Sequence, residues 1–104
     1  MNIPIAFCLH GQRFVVEYDD TLCATSNDRG RVYLAYNKIV LQAPNKGEPQ
    51  PQSCVEQAFL HELVHGILHH MESKLYDDEK FVNQFANLLH QAIVTMEYPE
   101  KPKK

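Results

Sequence analysis

Two periodicities divide this chain. Over residues 3–42 the apolar positions come in short runs broken by turn residues, whereas over residues 54–96 they recur every three or four positions. The first pattern is that of strands and the second that of amphipathic helices. Residues 3–9 end at His10-Gly11-Gln12, a turn signal, and Arg13-Phe14-Val15-Val16-Glu17-Tyr18 follows with β-branched and aromatic side chains. Two strands joined by a tight turn are predicted there. Residues 19–30 hold Asp19, Asp20, Ser26, Asn27, Asp28 and Gly30 and read as a loop, with at most a short extended piece at Leu22-Cys23. A third strand over residues 31–36 and a fourth at Lys38-Ile39-Val40-Leu41-Gln42 are separated by Asn37.

Residues 44–52 carry Asn45, Gly47, Pro49 and Pro51 and predict a loop into the helical half. A first helix is predicted from about residue 54 to about residue 73, opened by a capping box of Ser53 and Glu56. Its apolar stripe is Val55, Phe59, Val64, Ile67, Leu68 and Met71. Asp77 or Asp78 caps a second helix that runs to about Met96, with Phe81, Phe85, Leu88, Leu89, Ala92 and Met96 at helical spacing. The short connection makes the two helices antiparallel neighbours. The fold class is therefore α+β: a small, mostly antiparallel N-terminal sheet of three to four strands, followed by two antiparallel helices.

At 104 residues the chain supports one domain, residues 1–98, with residues 99–104 as a flexible tail. Hydrophobic residues at 44% against 22% charged give a globular balance and allow one modest core. The net charge of −3 leaves no basic field for nucleic acid, and Lys101, Lys103 and Lys104 form only a terminal run. Cys8, Cys23 and Cys54 are odd in number and lack CxxC spacing, which argues against a disulfide framework or a zinc knuckle. With no convincing signal peptide and no stretch of membrane-spanning length, the expected location is cytoplasmic, with no membrane contact. Nothing in the residues specifies an oligomeric state.

The chemistry concentrates in His61-Glu62-Leu63-Val64-His65. Four residues apart on a helix, His61 and His65 can point two imidazoles at one metal ion. Glu62 is offset by about 100°, which leaves its carboxylate beside the metal as a general base. A catalytic zinc needs a third ligand, and the turn between the helices offers Asp77, Asp78 and Glu79. Glu79 is the preferred choice and Asp78 the next. Asn83, one turn on, can accept the free N–H of a ligand histidine. His69 continues the spacing of four, but eight residues of helix rise about 12 Å, and bonds of about 2 Å cannot span that from one ion. His70 and His90 read as surface or partly packed histidines. Gly66 reads as a place where another segment approaches the helix closely.

His61-Glu62-Leu63-Val64-His65-Gly66-Ile67-Leu68, followed by Glu79-Lys80-Phe81-Val82-Asn83-Gln84-Phe85-Ala86-Asn87-Leu88-Leu89, resembles the small gluzincin-type zinc metallopeptidases, in particular the ImmA/IrrE-like proteins of bacteria, phages and mobile elements. The likeness covers residues 54–92. It implies a zincin-like minimal core, Zn2+ held by His61, His65 and Glu79, Glu62 as the catalytic base, and hydrolysis of a peptide or protein substrate, possible regulators of mobile elements among them. Val82 stands where that family has alanine, the spacing from His65 to Glu79 is shorter than in thermolysin-like enzymes, and a downstream Leu-Met-Pro is missing. Tyr76, His70 and Tyr98 are the candidates for a transition-state donor. An extended substrate could add to the sheet along residues 31–36 or 38–42. The alternative is a catalytically lapsed zinc-binding interaction module of a phage or mobile element.

Overall fold

A computed structural model of the chain describes residues 1–26, 28–44 and 50–100. Four strands form one sheet in the order β1-β2-β4-β3, where β1 is Ala6–Leu9, β2 Gln12–Asp19, β3 Gly30–Tyr33 and β4 Lys38–Gln42. The turn between β1 and β2 is made by His10 and Gly11, both left-handed at φ 49° and 74°. That handedness matches the twist of the flanking strands, which pair antiparallel from Ala6↔Val15 to Leu9↔Gln12. β3 and β4 are also antiparallel. Between them Leu34–Tyr36 forms a 3-10 turn closed by Asn37 at φ 51°, so the third strand ends at Tyr33, three residues before the predicted limit.

The sheet is mixed, because β2 and β4 run parallel from Val15↔Lys38 to Asp19↔Gln42. The reason lies in the connection after β2, which is too long for a hairpin and carries the chain past the position beside β2. β3 then lies on the outer edge and β4 returns between the two. The connection contains a short helix, α1 (Leu22–Ser26), where the residues predict at most an extended piece. Buried Leu22 anchors it, and the buried side chain of Gln42 accepts from the Cys23 amide at 2.6 Å and donates to the Asp20 carbonyl at 2.8 Å.

The helical half consists of α2 (Gln52–His70), a 3-10 turn (Lys74–Asp77) and α3 (Glu79–Thr95). α2 lies against β3 and β4, and α3 packs on α2. Glu56 near the start of α2 meets His90 near the end of α3, and His65 meets Glu79, so the helices are antiparallel. The core is built from Ile39 and Leu41 of the sheet, Val55, Phe59, Leu60, Val64 and Leu68 of α2, and Val82 and Ala86 of α3.

Four details of the helices differ from the sequence reading. No side chain caps α2 at its N-cap, Pro51, and the predicted box of Ser53 and Glu56 does not form. Glu56 is instead 6% exposed and accepts from His90 Nε2 at 2.8 Å. His90 is thus a buried partner rather than a surface histidine. The face that α3 turns to α2 is Val82, Ala86 and His90, whereas Phe85 is 49% exposed and Leu88 67%. The small side chains of Val82 and Ala86 let the helices approach, and the polar links at Glu79 and His90 fix the rotation of α3. Met71, at the end of the predicted stripe on α2, is exposed. Asp78 caps α3 as predicted, its Oδ1 accepting from the Phe81 amide at 3.0 Å.

The predicted loop over residues 44–52 and the tail over 99–104 fall partly outside the described residues, at 45–49 and 101–104. Among the described residues no helix is long and apolar enough to cross a membrane.

Candidate metal centre

One turn of α2 separates His61 from His65, and their Nε2 atoms stand 3.2 Å apart. Glu79, the first residue of α3, completes the group. Its Oε2 is 3.1 Å from His61 Nε2 and its Oε1 is 2.9 Å from His65 Nε2. All three ligand atoms lie within 4.8 Å of one another, so the group can hold a metal ion. Two local devices bring Glu79 there. Ser73 Oγ accepts from the Leu75 amide at 3.1 Å and sets the 3-10 turn, and the Asp78 cap then starts α3 at the next residue.

The ring of His65 is oriented from behind. Its Nδ1 lies 2.7 Å from the main-chain carbonyl of Tyr76. A carbonyl oxygen only accepts, so Nδ1 carries the hydrogen and the lone pair of neutral His65 sits on Nε2, facing Glu79. Asn83, the predicted partner of a ligand histidine, hydrogen-bonds to neither imidazole among the described residues. The rotation of α3 places it on a cavity wall beside His61 and Glu62 instead. The Tyr76 carbonyl had no signature in the sequence, since every residue type carries the same group.

Glu62 stands outside the three-atom group. Its Oε1 accepts from the Val32 amide of β3 at 3.0 Å. Burial pushes its carboxyl above the usual carboxylate range, against the opposing pull of His61, His65 and the Val32 N–H, with the negative charge of Glu79 adding to the rise. The close approach of β3 to α2 at this point depends on Gly30. A Cβ there would stand 3.1 Å from Leu41 Cδ2 and 3.2 Å from Glu62 Cγ. At Gly66, the position predicted for such an approach, a Cβ would meet only Leu9 Cδ1 at 3.6 Å, an ordinary contact.

A cavity of about 410 Å³ opens beside His61 and Glu62, between the start of β3 and α3, with Arg29, Gln57, Asn83 and Asn87 on its walls. β3 is an edge strand and the Val32 N–H points away from β4. β4 is paired on both sides, so residues 38–42 offer no edge for an added strand. His69 is exposed with its ring 5.3 Å from that of Tyr76, and it takes no part in the ligand group. His70 turns away toward His10, and Tyr98 is exposed beyond α3. Of the three donor candidates only Tyr76 stays near, its ring centroid 5.9 Å from that of His65.

Fold and site together define an α+β domain in which an HExxH helix and the start of the next helix form a two-histidine, one-glutamate group able to hold a metal ion. No known family model, curated protein or solved structure matches the chain.

Proposed function

We propose that this chain is a zinc-dependent metallopeptidase that hydrolyses peptide bonds in extended protein segments, with Glu62 as general base. One observation carries the reading: Glu62 follows His61 in sequence yet stays out of the ligand group, its carboxylate held at the exposed edge of β3. The ligand atoms, 2.9 to 3.2 Å apart, suit zinc, since bonds of about 2.0–2.1 Å in a tetrahedron set neighbouring ligand atoms roughly 3.3 Å apart. Two imidazoles and one carboxylate are also a donor set of catalytic zinc. When bound, such an ion supplies a Lewis acid for the scissile carbonyl and makes a water acidic near neutral pH.

The chain's own groups do the rest. Glu62 takes the proton of the attacking water on a carboxylate oxygen and delivers it to the leaving amine. The Tyr76 carbonyl keeps the His65 ring in its ligand orientation. An extended substrate adds along β3, where it takes over the Val32 N–H that Glu62 now occupies. The resemblance to ImmA/IrrE-like proteins supports a regulatory protein of a phage or mobile element as substrate. The free thiols of Cys8, Cys23 and Cys54 fit a cytoplasmic location.

The test pairs metal content with turnover of an unfolded protein by the zinc-loaded chain. Native protein should carry about one zinc per chain and cleave, while Glu62→Gln should keep the metal and lose cleavage. Turnover that survives in Glu62→Gln removes Glu62 as base, and absence of zinc uptake rejects the enzyme. Zinc uptake without any cleavage would favour the catalytically lapsed interaction module.

A further inference from the structure

We propose a second metal site, independent of the first: His10 and His70 form a two-imidazole site for a divalent transition-metal ion, which fastens the β1–β2 turn to the C-terminal end of α2. The Nδ1 atoms of the two rings are 3.1 Å apart. Metal–nitrogen bonds of about 2.0–2.1 Å at angles between square and tetrahedral set ligand nitrogens about 2.9–3.4 Å apart. The spacing also equals, within 0.1 Å, the 3.2 Å between the ligand nitrogens of His61 and His65. Neither imidazole has another hydrogen-bond partner among the described residues, and no carboxylate competes for them.

The fold holds the His70 ring and the His10 backbone in place. His70 packs against Phe14 in a T-shaped contact with ring centroids 5.6 Å apart, and fully buried Phe14 is stacked on Phe7 at 5.3 Å. The backbone of His10 is set by the hairpin at φ 49°, a left-handed position that histidine tolerates. His70 is the last residue of a 19-residue helix, where the C-terminal end of the helix dipole favours a cation. His10 is exposed, which leaves the remaining coordination positions to water. With imidazole donors alone, the site selects copper, nickel or zinc over magnesium or calcium. The two residues are 60 apart in sequence, so the ion would close a long loop.

Cu2+ titration of the full chain carrying His61→Ala and His65→Ala, which removes the first centre, tests the site. One Cu2+ per chain should remain, with nitrogen hyperfine structure in its electron paramagnetic resonance spectrum and a higher thermal midpoint on loading. Adding His10→Asn, a residue suited to the left-handed turn, should abolish all three. No uptake by the folded double variant, or uptake unchanged by His10→Asn, overturns the site. Should the double variant fail to fold, the native chain decides the matter: Cu2+ added beyond the one equivalent that fills the first centre should broaden the Gly11 and Met71 amide signals together, and His10→Asn should remove that broadening. Broadening confined to the surroundings of His61 and His65 would show a plain imidazole–imidazole hydrogen bond instead.

Discussion

His65 donates its Nδ1–H to the Tyr76 carbonyl over 2.7 Å while its Nε2 stands 2.9 Å from Glu79 Oε1. A lone pair facing a carboxylate at that separation repels it unless a cation, a proton or a metal ion, lies between them. In the metal-free chain the neutral form of His65 should be the Nδ1–H tautomer in imidazole nitrogen NMR, because the Tyr76 carbonyl can only accept. An Nε2–H tautomer there would contradict the orientation that the Tyr76 carbonyl imposes.

Gly30 and Gly66 should respond oppositely to alanine. At Gly30 the added Cβ meets Leu41 and Glu62 at 3.1 and 3.2 Å, closer than side chains ordinarily stand. Gly30→Ala should cost about 1–3 kcal/mol through overpacking and displace Glu62 from Val32, so turnover falls more than zinc content. Gly66→Ala adds a methyl inside α2 at ordinary contact distance and should stabilise by about 0.5–1 kcal/mol. Denaturation midpoints and metal analysis of the two variants separate these effects, and equal behaviour would refute the close approach at Gly30.

The observed rotation of α3 makes a similar contrast. Val82 is fully buried, whereas Phe85 is half exposed. Val82→Ala should destabilise by about 1–3 kcal/mol despite removing less surface than Phe85→Ser, which should cost under about 1 kcal/mol. Ala86→Leu should overpack the helix interface and weaken zinc binding by moving Glu79 off the two histidines. Urea midpoints that rank Phe85→Ser as the most damaging would mean that α3 presents its other face to the core.

Glu56 gives the acid limb of the stability profile. The hydrogen bond from His90 holds its carboxyl below the usual range, burial opposes this, and the N-terminal ammonium 3.4 Å away lowers it further. A folded-state pKa below the unfolded one means that the unfolded chain binds more protons in that interval. The contribution is complete above the ordinary glutamate pKa, about 4.3, and is lost as the pH falls through the lower folded value. Glu56→Gln should lower stability near pH 7 by about 1–3 kcal/mol and flatten its fall between pH 5 and pH 3. Parallel acid limbs in urea titrations of the two proteins would exclude Glu56 as the titrating group.

The elements that the residues announced were those set by local chemistry. The turn at His10-Gly11, the break at Asn37 and the cap at Asp78 each depend on one or two residues with distinctive backbone preferences. The pairing of His61 and His65 on one helix face follows from helical spacing alone. What the sequence hid depends on distant partners. The parallel pairing of β2 with β4 depends on where the connection crosses, and α1 depends on Gln42 sixteen or more positions away. Periodicity ranked Phe81, Phe85 and Leu88 by hydrophobicity; Phe81 does pack against the core, but Phe85 and Leu88 stay exposed and the centre of the interface went to Val82 and Ala86, which are smaller and allow close approach. Glu56 looked like a cap because its partner, His90, lies 34 residues away.

His61 and His65 belong to one helix and Glu79 to the next, so the ligand set straddles the boundary between them. An ion that binds only the docked arrangement stabilises it by mass action, by about 2.7 kcal/mol at a free concentration one hundred times the dissociation constant. α3 rests chiefly on α2 and the Lys74–Asp77 turn, so this is the element whose seating responds most to metal supply. If the chain holds such an ion, chelation would act as a mechanical release, and starvation for metal would leave a loosened C-terminal helix open to proteolysis. The same three side chains that would serve catalysis would then make the lifetime of the protein a gauge of the metal around it.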